Sequence, residues 1–343
     1  MKTKRMIAVI CLTILLLCVS GCAVQPSNAV TGSAPTPLFF ANGQGLFMNA
    51  GPHSASGSTF YCYDGSSISS LGSYDYTSQD LYRTHALIHD RLYLANGTTG
   101  ILQVDTSTKE ITPVPLFGTR VYSVAALNNQ LVVLTKAGQD DYKLSLWDPI
   151  SLQPVYTSPT AYGERTTGTP LDICASGENI YVLLEHVDSS NSILKLDHNL
   201  EPVCEISFDG ASGQIPTHNL RFGIYGDCIF LYGSHISTVG LLQDDTITPL
   251  LTGADLIPAV QFDQSAAPVF YDTEKNSVHI YEPTSKTLTE TPLQLEKDTQ
   301  LVSAAASADH LLLFVRQEDP DPLVFDFIYV PMIIDRNLSA LAE

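Results

Sequence analysis

Basic residues are scarce in this chain of 343 residues: 17 Lys and Arg stand against 36 Asp and Glu, a formal charge of −19. Nucleic-acid binding rests on clustered cations that neutralise phosphates, so that class of function is excluded. The same surface repels anionic lipid headgroups. Tryptophan occurs once, at Trp147. No C-x-x-C pair and no H-E-x-x-H helix motif is present, which removes the common zinc signatures. Neither a G-x-S-x-G elbow nor a D-x-[DN]-x-[DN]-G loop occurs, so a hydrolase nucleophile turn and a calcium loop are missing too. No apolar run reaches the roughly 20 residues that a membrane-spanning helix needs.

What is present begins with a basic start, Lys2, Lys4 and Arg5, followed by an apolar stretch from Met6 to Val19 broken only by Thr13. That layout is a signal peptide, residues 1–21. It ends in Val19-Ser20-Gly21-Cys22, which resembles the bacterial lipobox. The resemblance implies a diacylglyceryl group on the Cys22 sulfur and cleavage before that cysteine; the competing reading is ordinary signal-peptide cleavage with Cys22 incidental. Two acyl chains at one residue give stable membrane attachment, whereas one alone is marginal. The expected location is therefore the extracytoplasmic face of the cell membrane, held by the Cys22 lipid. Residues 22–37 continue as Ala-Val-Gln-Pro-Ser-Asn-Ala-Val-Thr-Gly-Ser-Ala-Pro-Thr-Pro after the cysteine, the composition of a flexible tether. Cleavage takes away three of the 17 basic residues and no acidic one, so the formal charge falls from −19 to −22.

Residues 38–343 remain as the domain, long enough for one large all-β unit or two smaller ones. Cys11 and Cys18 leave with the leader, so Cys62, Cys174, Cys204 and Cys228 belong to the domain. Export would permit two disulfides. Their scatter favours buried, inert thiols instead and argues against a metal site.

The domain is a repeat. Strand pairs read ALIHDRLYLAN from Ala86, ALNNQLVVLT from Ala126, ICASGENIYVLL from Ile173, GIYGDCIFLY from Gly223 and AASADHLLLFV from Ala305, with turns near Asp90, Asn129, Glu178, Asp227 and Asp309. The last gap is about twice the others, and a divergent copy from Pro268 fills it. An earlier copy begins at Phe39. A second hairpin follows each pair: ILQVDTSTKEITPV from Ile101, LSLWDPISLQPV from Leu144, ILKLDHNLEPV from Ile193, LLQDDTITPL from Leu241 and VHIYEPTSKTLTETPL from Val278. In each, an acidic residue opens a turn between two alternating strands. Seven units of four short strands, at a period near about 44 residues, specify an all-β fold, a β-propeller of seven four-stranded blades. Two β-sandwiches or a β-solenoid are the rivals.

The turn Val104-Asp105-Thr106-Ser107-Thr108-Lys109, echoed by Glu282-Pro283-Thr284-Ser285-Lys286, is similar to the D-x-x-T-x-K turn of PQQ-like and YVTN-like propeller repeats. Quinoprotein members of that superfamily also carry a tryptophan after the turn of most blades. Trp147 is single and precedes its turn, so the resemblance supports the fold and weakens the enzyme reading.

The residues capable of chemistry are dispersed. His89, His186, His198, His218, His235, His279 and His310 form no pair of metal-ligand spacing. Asp140-Asp141, Asp244-Asp245 and Glu318-Asp319-Pro320-Asp321 fall in loops, where acids solvate the chain. Tyr74, Tyr76, Tyr82, Tyr162 and Tyr232 lie at loop edges, where a tyrosine can serve as a contact anchor or simply pack in a sheet. The expectation is a non-catalytic binding or scaffold propeller for a protein, peptide or glycan of the cell envelope, with no catalytic, cofactor or metal residues assigned. The alternative is a propeller enzyme, a lyase, glycosidase or divergent quinoprotein, with its groups gathered around the axis.

Overall fold

A computed structural model describes residues 29–50, 57–76, 85–96, 100–116, 119–138, 141–163, 168–208, 220–225, 228–233, 238–251, 256–262, 266–319 and 327–336. The signal peptide and Cys22 lie outside them. All elements among the described residues are strands: none is a helix, and so none is a helix long and apolar enough to cross a membrane.

The strands form seven sheets. After β1 (Val30–Thr31), blade 1 holds β2 (Thr36–Ala41), β3 (Gln44–Ala50), β4 (Ser58–Tyr63) and β5 (Ile68–Tyr74). Blade 2 holds β6 (His85–Ile88), β7 (Arg91–Asn96), β8 (Gly100–Asp105) and β9 (Ile111–Pro115). Blade 3 holds β10 (Arg120–Leu127), β11 (Gln130–Lys136), β12 (Tyr142–Asp148) and β13 (Gln153–Tyr162). Blade 4 holds β14 (Thr169–Ser176), β15 (Asn179–Glu185), β16 (Asn191–Leu196) and β17 (Pro202–Phe208). Blade 5 holds β18 (Leu220–Tyr225), β19 (Cys228–Gly233), β20 (Thr238–Gln243) and β21 (Thr246–Leu251). Blade 6 is built from β22 (Ile257–Pro258), β24 (Val269–Asp272), β25 (Ser277–Glu282) and β26 (Thr287–Pro292), while β23 (Val260–Gln261) leaves it to pair in parallel with blade 7. Blade 7 holds β27 (Gln300–Ala306), β28 (His310–Glu318) and β29 (Phe327–Asp335), with β1 as its outermost strand.

The second strand of a blade explains why the ring forms. Leu131 and Val133 of β11 join the cluster shared with blade 2, whereas Val132 and Leu134 join the one shared with blade 4. A strand buried on both faces must be apolar at successive positions, which is how Leu131–Leu134 of β11, Ile180–Leu184 of β15 and Leu311–Val315 of β28 read. Seven such clusters occur, one at each boundary between successive blades, including the boundary that joins blade 7 back to blade 1. This closed order excludes the sandwiches and the solenoid.

Turn chemistry follows the repeat. Asp105 accepts the Ser107 and Thr108 amides at 2.9 and 2.8 Å, and Lys109 closes the turn in the left-handed region at φ 66. Asp148 accepts those of Ile150 and Ser151 at 3.1 and 2.6 Å, with Leu152 left-handed. Asp197 does the same for Asn199 and Glu201. These are Asx turns. The Ser107 hydroxyl, at 2.6 Å, together with the turn amides holds Asp105 down to about 2, and turn amides keep Asp148 and Asp197 below the usual carboxylate range.

Asparagines of three blades bind a chain segment of a neighbouring blade. Asn49 donates to Thr31 O at 2.6 Å, and Asn96, at the same place in blade 2, donates to Asp75 O at 2.6 Å. In blade 6, Asn276 accepts the Leu301 amide at 2.7 Å.

One boundary read from the sequence moves. The composition of residues 22–37 reads as tether throughout, whereas Val30–Thr31 completes blade 7 and Thr36 already starts blade 1. A ring needs its last sheet joined to its first segment, and short polar residues disguise that strand. Cys62, Cys174, Cys204 and Cys228 are all free thiols, and burial pushes Cys62 and Cys174 up.

Candidate functional site

The innermost strands of all seven blades surround an axial cavity of about 390 Å³. Its wall is built from Pro35–Pro37, His85–Leu87, Val124–Ala126, Asp172–Ala175, Phe222–Ile224, Ile257–Phe262 and Val302–Ala304, with Tyr232 and Tyr271 behind. Small residues recur at matching heights, Ala86, Ala125, Cys174 and Gly223. At Gly223 a side chain would meet Pro258 and Tyr232 only at ordinary contact distance, 3.7 and 3.8 Å.

The carboxylate in this wall, Asp172, is 2% exposed. A β-bulge between Pro170 and Asp172 turns it inward. Its Oδ1 accepts the Ser123 hydroxyl at 3.2 Å and the Ile173 amide at 2.9 Å; its Oδ2 accepts the Phe222 amide at 3.0 Å. Blades 3, 4 and 5 are thereby joined through one side chain. Bulges at Val121/Ser123 and Leu301/Ser303 place two further polar residues alike, and the Ser303 hydroxyl donates to Pro35 O at 2.7 Å. These groups hold the inner strands in register.

His85 is the imidazole of the cavity. It meets Phe262 edge-on at 5.2 Å, and Phe262 in turn lies 6.0 Å from Phe39. Loss of solvent pushes the imidazole down to about 4, so it is neutral at physiological pH. A neutral ring among aromatics neither attracts an anion nor donates a proton readily.

A second cluster lies in blade 4. His186 Nε2 is 2.8 Å from the Ser192 hydroxyl, which donates to Glu205 Oε1 at 2.6 Å. The residue types are those of a hydrolase, but the order of contacts is not. Glu205 approaches the same imidazole nitrogen, at 3.5 Å, that faces Ser192, so it does not orient the far nitrogen as the acid of a triad does. Ser192 is 1% exposed, out of reach of a substrate. The sequence gives no hint of this grouping, since its members come from three strands or loops.

The remaining candidates disperse. His89, His198 and His310 are exposed in turns or strand ends, His279 is buried beside Ser277, and His218 and His235 lie outside the described residues. No set of three metal-capable side chains occurs among the described residues. Asp244 and Asp245 form a tight turn, with Asp245 paired to Lys195 at 2.7 Å. Asp141 and Glu318 stand apart in blades 3 and 7, and Asp140, Pro320 and Asp321 lie outside the described residues. Tyr76, Tyr162 and Tyr232 are buried, and half-buried Tyr74 packs edge-on against Phe60. A sheet with cover on both faces draws these rings inward, so they are packing residues and not rim anchors. Tyr82 lies outside the described residues.

No protein-family model matches the chain, and neither does any curated protein. Among solved structures, a streptogramin B lyase is similar over 90% of this chain and 97% of its own, at 12% identity and a TM-score of 0.55. The WD40 β-propeller domain of Doa1 matches over 93% and 99%, at 11% identity and 0.52. A chain of a mitotic checkpoint complex matches over 91% and 96%, at 12% identity and 0.52. At such identities the likeness is one of fold alone: this chain is a seven-bladed β-propeller.

Proposed function

We propose that the protein is a lipid-anchored, non-catalytic binding propeller on the extracytoplasmic face of the cell membrane, holding a protein, peptide or glycan of the envelope. The observation that supports the binding role is the engagement of Asp172. Seven inner strands converge on the axis, yet the carboxylate they bring is buried and engaged by Ser123, Ile173 and Phe222, and the imidazole beside them is neutral. Acid–base chemistry needs titratable groups with free valences near the operating pH. A rigid ring with variable loops is instead suited to recognition. The anchor rests on the lipobox resemblance at Cys22.

The test is capture from detergent-solubilised envelope with the lipidated protein, the Cys22→Ala form serving as the control for anchoring. One stoichiometric partner identified by mass spectrometry supports the reading. A preparation that retains nothing, together with turnover in a screen of envelope glycans and peptides, would establish the enzyme alternative in its place.

A further inference from the structure

Six of the seven blades end in an outer strand of five or more residues that covers its neighbour. Blade 7 does not. There β1 pairs only with Ile328 and Tyr329, and no strand among the described residues covers the outer edge of β29 from Val330 to Ile334. This is also an apolar stretch, Phe-Ile-Tyr-Val-Pro-Met-Ile-Ile from Phe327. An open apolar edge is a hazard that soluble proteins normally cover or charge.

Two of its side chains are exposed, Phe327 at 39% and Met332 at 36%. Five residues apart on a strand, they stand on opposite faces, so the edge is apolar on both sides. The Arg316 guanidinium lies 4.5 Å over the Phe327 ring, which puts a cation beside an aromatic side chain.

The position of β1 says what meets this edge. Cys22 precedes Val30 by eight residues, so a fully extended chain spans about 26–29 Å between them. The outer strands of blades 3 and 4 lie across the ring, farther from β1 by about 29 Å of strand spacing plus the cavity. Their exposed residues Val155, Tyr156 and Val203, and Ile150 in the turn before β13, are therefore carried on the side remote from the tether's attachment.

We propose that the open edge of blade 7 is a lipid-contact surface: the anchor holds the ring by its seam, with Phe327 and Met332 at the headgroup boundary and Arg316 next to lipid phosphate. The proposal rests on the lipidation of Cys22. Exposed backbone groups of the edge stay at headgroup depth, since hydrocarbon would leave them without partners. The acidic surface gives the ring little affinity for lipid by itself. Tethering makes the contact intramolecular and raises its effective concentration.

The experiment uses the full lipidated chain on phosphatidylcholine vesicles whose acyl chains carry bromine, a short-range quencher of tryptophan. The native Trp147 reports from blade 3, and Met332→Trp and Phe327→Trp each add a reporter at the seam, on opposite faces of β29. Added tryptophans seated within about 5–10 Å of the acyl boundary lose about half their emission, while Trp147 in the unsubstituted chain keeps its own. Vesicle flotation is measured on the same samples, with Cys22→Ala as control. A protein that fails to float overturns the anchor. One that floats while both seam tryptophans stay unquenched overturns the lipid contact alone, and residues 23–28 are then the candidates to cover the edge.

Discussion

The Asp172 carboxylate accepts the Phe222 backbone amide at 3.0 Å across the boundary between blades 4 and 5, and the same group accepts the Ser123 hydroxyl of blade 3. One buried carboxylate thus joins the inner strands of three blades. Asp172→Ala leaves two amides and a hydroxyl without their acceptor and is expected to cost about 3–5 kcal/mol, with Asp172→Asn costing less. Denaturant unfolding measures both. An Asp172→Ala protein as stable as the parent would show that the carboxylate does not join the blades.

His85 sets a pH dependence. Its imidazole titrates near about 4 in the fold against 6.5 in the unfolded chain, so between those values the unfolded state holds the extra proton. Stability is complete above about pH 6.5 and falls as pH drops toward 4, by about 1–3 kcal/mol given the partial exposure of the ring. His85→Phe, which keeps an aromatic against Phe262, removes that slope. Thermal melts across pH 4 to 7 decide it, and an unchanged slope would acquit His85.

Acid loss below pH 4 has a different origin. Asp105 is held down to about 2 by the Ser107 hydroxyl and its turn amides, and Asp64 and Asp148 are shifted in the same direction. A depressed carboxylate contributes stability above its unfolded value near 3.8 that is lost as pH falls through the folded one. Asp105→Asn and Asp148→Asn therefore flatten the melting curve between pH 4 and 2 while leaving the window above 4 untouched. Calorimetry separates the two windows.

Trp147 fills the boundary between blades 2 and 3, at 6% exposure, beside Tyr93, whose hydroxyl donates to Pro149 O at 2.9 Å. Trp147→Ala is expected to cost about 3–5 kcal/mol through the cavity left behind. Trp147→Phe costs less, since the indole N–H has no partner among the described residues. Unfolding followed by circular dichroism gives both values.

The seam makes β1 a closing strand. Val30→Pro removes an N–H, introduces a fixed φ beside Tyr329 and takes away a side chain of the cluster joining blades 7 and 1. A loss of about 2–4 kcal/mol is expected, with amide exchange accelerated first in blades 7 and 1. Uniform acceleration around the ring would argue against a local opening there.

The sequence by itself determined the ring. A second strand apolar at successive positions, as in Leu131–Leu134, has no stable place except between two neighbouring sheets. Acids at Asp105, Asp148 and Asp197 dictate turns through bonds to amides two to four residues away, and such local geometry is readable wherever it repeats. Blade 6 was the poorest match because its inner pairing is split between β22 and β23, and no local pattern records a strand that changes sheets. Only the tertiary structure decided which strand closes the ring, since Val30–Thr31 looks like tether until Ile328 and Tyr329 supply its partners. The same holds for the channel: Asp172, Ser123 and Phe222 come from three blades, about 50 residues apart, and only the packing of inner strands about an axis brings them together. Periodicity encodes what each blade needs from its neighbours. Contacts made once, between different copies of the repeat, leave no period to read.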